Sequence, residues 1–313
     1  MEKVIIIGLG FEFVRCQEKL KSEYEITGII HNDPQTWGKT YNGIPVGSFD
    51  IASRFPHDFL LLSSLNYKQI LISMINANFQ SRVMLLIPPP EPYLSNEALD
   101  ILLSEYQFKT VLDIGCGTGL QTDVLIANNK SVTCIDKGDS IYFEKNKHAI
   151  DVIVDDFNVH EFDKKFDCVW CSHVLEHQLN VHNFLRKVHS CLKEDGILAV
   201  TVPPLDNIIC SGHVTYWNAG MLLYNLVLAG FDCSKARVGK YGYNISVIVR
   251  KKTINVLKEI SYDAGDIEKL RKYFPPQIQY RNTNIDTVFN GDIWYINWSM
   301  PKYTLKELVV ERK

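Results

Sequence analysis

The chain has 313 residues, 46% hydrophobic and 22% charged, with a formal net charge of -3. That length suggests about two domains, each with enough apolar residues for a core. The near-neutral balance excludes a strong field toward nucleic acid or anionic membrane, and no apolar run has the length of a membrane span or the flanks of a signal peptide. A soluble, cytoplasmic protein acting on a small molecule is expected, with no nucleic-acid or membrane partner and with a homodimer left open.

In chain order, residues 3–7 predict a strand, 13–20 a helix, 26–30 and 59–62 two more strands, 70–77 a helix and 83–87 a fourth strand. Short apolar runs alternating with helical patterns imply βαβ units and a parallel sheet. The prolines of "PPPEP", residues 88–92, can continue neither a helix nor a central strand, and they set a boundary near residue 90.

Beyond it, strands are expected at 111–114, 131–135, 151–154, 166–171 and 196–202. Val181, Phe184, Leu185, Val188 and Leu192 recur at helical spacing behind Asn180, a suitable N-cap, so 180–192 predicts a helix. A second helix is expected at 218–229, ended by Gly230. The runs "SKARVG" and "NISVIVRK" around "KYGY" predict an antiparallel hairpin that closes the sheet. The resulting α/β organisation is a small Rossmann-like domain at 1–90, a larger one at 91–251 and a C-terminal extension at 252–313. In that extension, helices are expected at 254–260 and 267–273, and a hairpin is expected to turn at Asn290-Gly291.

Eight cysteines lie mostly in apolar runs. Cys168 and Cys171 form C-x-x-C, but "FDCVWCS" reads as a buried strand, so reduced, buried thiols are expected rather than a redox pair.

The stretch "VLDIGCGTG" carries Gly115, Gly117 and Gly119 directly after a strand and before a helix. Side chains there would block a ligand's approach to the backbone, and the helix N-terminus favours polar or anionic atoms. The spacing is G-x-G-x-G rather than the dinucleotide G-x-G-x-x-G, and Asp113 precedes it. A carboxylate there disfavours pyrophosphate and suits an ammonium group. Asp136, about 20 residues beyond, stands where a ribose-binding carboxylate belongs. Asp155 and Asp156 end the next strand, where a carboxylate accepts from an adenine amino group and Phe157 offers an apolar face. Ammonium, ribose and adenine partners at successive strand ends describe S-adenosylmethionine.

"VLDIGCGTG", "VTCID", "VDDF", "FDCVWCSHVLEH" and "FLRKVHSCLKEDGILAVTVPP" occur in one order and spacing. Together they resemble the class I S-adenosylmethionine-dependent methyltransferases over roughly residues 93–250. "SGHVTYW" with "LLYNLVLAGFD" resembles the branch that methylates small molecules and sugars. The resemblance implies the class I methyltransferase sheet with its terminal antiparallel hairpin. It also implies a cofactor set of Asp113, Gly115, Cys116, Gly117, Gly119, Asp136, Lys137, Asp155, Asp156, Phe157 and Ser172.

"HVLEH" also matches H-x-x-E-H, the inverted zinc-peptidase pattern. A peptidase needs both histidines on a long helix, whereas here the pattern follows a strand, so no metal is expected and a zinc hydrolase is a remote alternative. For transfer to a hydroxyl, a histidine suits the general base. The candidates are His173, His177 and His213, the last in a loop expected to lid the site. Glu176, Tyr216 and Trp217 are candidate substrate contacts, the aromatic pair by stacking on a ring. His148, His160, His182 and His189 read as surface or helix residues.

The N-terminal "VIIIGLGFEF" starts like a dinucleotide turn at Gly8 and Gly10, but the third glycine position is Phe13. With "YEITGIIHNDPQTWGKTYNGIPVGSFD" it resembles the small Rossmann-like domain that precedes some sugar-nucleotide epimerases, dehydratases and sugar acyltransferases. This tilts the expected acceptor toward a sugar, such as a nucleotide-linked sugar for a surface polysaccharide. A nicotinamide-dependent enzyme run by this domain, or a non-catalytic cofactor-binding module, are the rival readings.

Overall fold

A computed structural model describes residues 1–8, 11–63, 81–87, 94–144, 151–206, 208–299 and 304–308. Gly10, His148, the helix expected at 70–77 and the proline run at 88–92 lie outside these residues. The chain divides into two compact units, residues 1–90 with 300–313, and residues 91–299.

The first unit contains β1 (Lys3–Ile7), α1 (Phe11–Glu23), β2 (Glu25–Ile30), β3 (Thr40–Tyr41), β4 (Ile44–Gly47), β5 (Phe59–Leu62) and β6 (Val83–Ile87). Strands β6, β5, β1, β2 and β4 lie side by side and parallel. Strand alternation sends Val4 and Ile6 to one face, with Phe13 of α1, and Ile5 and Ile7 to the other, with Ala52. Both faces are therefore apolar, as a parallel sheet requires. The strand Thr304–Leu308 pairs antiparallel with β6, so the segment expected as one C-terminal extension is shared between the two units.

The second unit begins with α2 (Asn96–Glu105), β7 (Thr110–Ile114), α3 (Leu120–Ala127), β8 (Ser131–Asp136), β9 (Val152–Val154) and β10 (Phe166–Ser172). It continues with α4 (Val181–Cys191), β11 (Leu192–Val202), α5 (Ala219–Leu228), β12 (Arg237–Tyr241) and β13 (Asn244–Arg250). Asn180 caps α4 by accepting from the Asn183 amide, and Asn218 caps α5 by accepting from Met221. Five parallel strands run β9-β8-β7-β10-β11, and the antiparallel hairpin β13-β12 closes the sheet. Strand order reverses between β7 and β10. In open α/β sheets that switch point opens a crevice beyond the strand carboxyl ends.

The remaining elements are α6 (Asp266–Leu270), β14 (Tyr280–Asn282), β15 (Thr287–Phe289) and β16 (Tyr295–Ile296). Here the sequence expectations need correction. Residues 254–260 form no helix, because the Ile254 amide instead donates to the Gly230 carbonyl, continuing the contact made by the Phe231–Thr253 bridge. The hairpin joins β14 to β15 and turns at 283–286, not at Asn290-Gly291. Gly291 serves close packing instead, since a Cβ on Gly220 of α5 would lie 2.5 Å from its Cα. Strand β16 then pairs with β12 at the sheet edge.

Candidate active site

The glycine turn leads from β7 into α3, and all three glycines have positive φ: 73° at Gly115, 50° at Gly117 and 83° at Gly119. They serve different ends. A Cβ on Gly115 would lie 2.4 Å from Val174 Cγ2, so this glycine admits the protein's own "HVLEH" turn. At Gly117 the only described atom within 4 Å of the Cβ position is Tyr142 Cβ, at 3.5 Å. That is the position open to a ligand. Gly119 caps α3 without a side-chain hydrogen bond, leaving the first-turn amides facing the crevice. Cys116 is buried, and the neighbouring Cys134 sulfur together with burial pushes its thiol up, so only its backbone belongs to the turn.

Asp136 ends β8 with its carboxylate turned back to this cradle. Its Oδ2 accepts from the Gly117 amide and its Oδ1 from the Gly138 amide, each at 2.9 Å. A carboxylate offers about four acceptor positions, so two hydroxyl donors can still be accommodated. These are the requirements of a ribose diol, and the residues present fit that part of S-adenosylmethionine. Lys137 beside it is exposed.

Asp113 is 2% exposed and lies behind the turn, where it accepts from the Thr122 hydroxyl of α3. Burial pushes its carboxyl up to about 7, Thr122 opposes the shift and Asp136 adds to it. The sequence places Asp113 against an ammonium group; the structure places its carboxylate against Thr122.

At the end of β9, Asp155 accepts from His160 at 2.8 Å, and this bond, with one from the Asp156 amide, holds its carboxyl below the ordinary value. Asp156 accepts from the amide and side chain of Asn158. Phe157 does not offer its face to the crevice. It is buried with its ring centroid 5.1 Å from that of Phe184 on α4. The apolar surface beside Asp155 is Val154, 61% exposed.

Ser172 ends β10 and shares a 2.7 Å hydrogen bond with Ser95. His173 follows in a left-handed conformation, φ 56°. Leu175–His177 then form a single 3-10 turn. The pattern H-x-x-E-H thus lies on a turn, not on the long helix of an inverted zinc peptidase. Glu176 is wholly buried. Its backbone carbonyl accepts from the amides of Val214 and Thr215, which ties the loop after β11 to the strand end.

That loop brings His213 to His177, their ring centroids 5.1 Å apart. A narrow cleft opens beside them, with an enclosed volume of only about 10 Å³, lined by His213, Tyr216, Trp217, Asp206, Cys210 and Tyr243 among others. Tyr216 is 40% exposed and available for stacking, whereas Trp217 is 3% exposed and belongs to the core, its indole nitrogen donating to Thr215. His160 and His189 have other partners, His160 bonding Asp155. His189 is bonded to Thr253 and pushed down to about 4 by burial and then by Lys251.

Two further residues complete the cluster. Tyr243, at the hairpin turn, stacks on His173 with planes 13° apart. Asn244, fully buried, accepts through Oδ1 from both His173 Nε2 and the Ser95 amide. The sequence marks "KYGY" only as a turn and Asn244 only as the start of the next strand. A polar residue opening an otherwise apolar strand was the one available signal.

Fold and site define a class. Residues 92–225 match the family described as a methyltransferase domain, with S-adenosylmethionine as the cofactor. Among curated relatives, the chain is 32% identical over 105 residues to the ubiquinone biosynthesis O-methyltransferase of Glaesserella parasuis, a match covering 30% of this chain and 44% of that protein. It is 34% identical over 97 residues to the Rickettsia typhi protein of the same name, covering 29% and 39%. The chain thus spans less than half the length of these relatives. Among solved structures, the Burkholderia thailandensis 1,6-didemethyltoxoflavin-N1-methyltransferase is 16% identical, with a TM-score of 0.43 over 60% of this chain and 86% of that one. Among the described residues no helix is long and apolar enough to cross a membrane.

Proposed function

We propose that the chain transfers a methyl group from S-adenosylmethionine to a hydroxyl of a small polar acceptor, a sugar in the first instance. The observation that carries this reading is the junction at the switch point. The open Gly117 position and the Asp136 carboxylate form one wall. Val174, packed on Gly115, leads directly to His173, which stacks on Tyr243 of the cleft that His213 lines. On this reading the cofactor cradle and the acceptor cleft lie on either side of a single turn.

The cofactor supplies a methyl carbon on a positively charged sulfur, which leaves as a neutral thioether. Asp136 anchors the ribose. The acidic pair at the end of β9 accepts from adenine, beside Val154. Asp113 contributes negative charge beneath the cradle, where an ammonium end is attracted without direct contact. The acceptor oxygen forms its bond to the methyl carbon as the carbon–sulfur bond breaks, and its proton must leave. His213, His177 and His173 are the groups placed to assist that loss. Alignment of the three atoms in line contributes roughly 7–11 kcal/mol to such a reaction, and assisted proton removal roughly 10²–10⁴-fold.

A sugar acceptor is supported by the resemblance of residues 3–87 to the leading domain of sugar-nucleotide enzymes. The names of the relatives, O-methyltransferases of ubiquinone biosynthesis, favour a second class of acceptor, for which phenols serve as probes. Incubating the full chain with labelled S-adenosylmethionine and panels of nucleotide sugars and phenols, with products read by mass, tests both. A methylated nucleotide sugar is the expected product. Methylation of phenols alone would move the acceptor assignment, and absence of binding to S-adenosylhomocysteine in calorimetry would overturn the reading.

A further inference from the structure

Glu176 poses a problem of charge. Its side chain is 1% exposed, and among the described residues neither carboxylate oxygen has a hydrogen-bond partner of good geometry, although His173 Nδ1 lies 3.2 Å from Oε1. Burying an ionised carboxylate without a partner costs several kcal/mol. What faces it makes matters worse. Asn244 Oδ1 receives the Ser95 amide, so it is the acceptor toward His173 Nε2, which must carry the hydrogen. In neutral His173 the lone pair is then on Nδ1, which lies 3.2 Å from Glu176 Oε1.

His177 repeats the pattern. Its Nδ1 lies 2.8 Å from the Gly212 carbonyl and donates to it, leaving the lone pair on Nε2, 3.9 Å from the same Glu176 oxygen. Fixing a ring by an Nδ1–H bond to a backbone carbonyl is the usual outer support of a metal-bound histidine. Gly212, φ 82°, is what presents that carbonyl. His213 closes the group. Glu176, His177 and His213 each offer one ligand atom, all within 4.8 Å of one another.

We propose that Glu176, His177 and His213 bind a divalent cation of the zinc class at the edge of the acceptor cleft. Converging lone pairs around a buried carboxylate repel one another unless positive charge lies between them. Two imidazoles and one carboxylate suit zinc, cobalt and related first-row ions better than magnesium or calcium, which prefer all-oxygen shells. Three protein ligands leave a position open. His213 also lines the cleft, so that position is reached by an acceptor oxygen, whose proton the cation makes easier to lose to solvent water. His177 and His213 then assist the reaction as ligands, and His173 is a positioning residue that holds Glu176. The catalytic role rests on the methyl-transfer reading; the binding of the cation does not.

The test uses the metal-stripped full chain titrated with Co²⁺, read by visible absorption, and with Zn²⁺, read by calorimetry. One equivalent of each is expected, with the Co²⁺ bands of a four- or five-coordinate site. His213→Ala, in the loop, should weaken Co²⁺ at least about a hundredfold, the upper end of what losing even an outer partner costs. Glu176→Gln should do the same, and His182→Ala on α4 should change nothing. Absence of Co²⁺ and Zn²⁺ binding, or binding indifferent to His213→Ala, would overturn the proposal and leave a shared proton as the neutralising charge. A parallel titration with S-adenosylhomocysteine separates the two readings. Nucleoside binding without metal binding sinks the cation site alone, whereas metal binding without nucleoside binding sinks the methyltransferase reading alone.

Discussion

Replacing Asp136 with alanine tests the cofactor assignment where the geometry is most explicit. In the structure its two oxygens already accept from the amides of Gly117 and Gly138. A bound ribose adds two hydroxyl donors to the same carboxylate. A hydrogen bond to a charged group contributes about 1.5–3 kcal/mol, so two contribute ~3–6 kcal/mol. At about 1.4 kcal/mol per decade, Asp136→Ala should weaken S-adenosylhomocysteine binding by roughly 10²–10⁴-fold. Asp136 is only 9% exposed, so solvent screening reduces this little. The orphaned Gly138 amide is half-exposed and recovers water at a cost of about 1 kcal/mol in stability.

Asp136→Asn keeps one acceptor oxygen and removes the charge, so its loss should fall between those of wild type and Asp136→Ala. The assay is calorimetric titration of the full chain, with thermal melts to show that each variant is folded. A folded Asp136→Ala protein that binds within about threefold of wild type would refute the placement of ribose on this carboxylate.

Three further outcomes follow from the same geometry. Because burial raises Asp113 from an ordinary 3.8 to about 7, the folded state holds more protons than the unfolded state between those values. Stability should therefore fall as pH rises through that window and level off above it, by at most about 4 kcal/mol; urea midpoints between pH 5 and 8 should be flatter for Asp113→Asn, and an equal slope would exclude Asp113 as the source. Gly115→Ala, which meets Val174 and must keep a positive φ, should cost about 2–4 kcal/mol of stability, whereas Gly117→Ala should cost nearer 1 kcal/mol yet reduce nucleoside affinity more than tenfold; the reverse ranking in melts and titrations would contradict the division of roles. Phe157→Ala should destabilise the fold by about 3–5 kcal/mol in chemical denaturation, and a stable variant with impaired nucleoside binding would return Phe157 to the adenine site.

The parts of the site legible in the sequence are those fixed by local geometry. A strand followed by closely spaced glycines can only turn sharply, and acidic residues that end successive parallel strands must converge on one edge. The Asp136 carboxylate was readable for that reason. Phe157 and Trp217 were not, because an aromatic residue just past a strand can turn to the crevice or to the core with equal local comfort. The choice belongs to distant partners: for Phe157 the ring of Phe184, for Trp217 the bridge to Pro204 and the Leu205 amide. Asn290-Gly291 failed for a related reason. A dipeptide suited to a hairpin turn is equally suited to close backbone approach, and the neighbouring Gly220 decided its use.

The environment of Glu176 is the extreme case. Its neighbours come from the strand end, from a loop some 35 residues on and from the hairpin turn beyond, and each takes its meaning from the others. A buried glutamate alone is only a cost, and His173 and His177 alone are a base and a brace. Once Asn244 and Gly212 occupy one nitrogen of each ring, however, the other nitrogens face the Glu176 carboxylate, so a proton or a cation must lie between them. Tautomers set by outer partners, which no spacing rule encodes, turn a motif that looked like a failed zinc helix into a site that needs a positive charge.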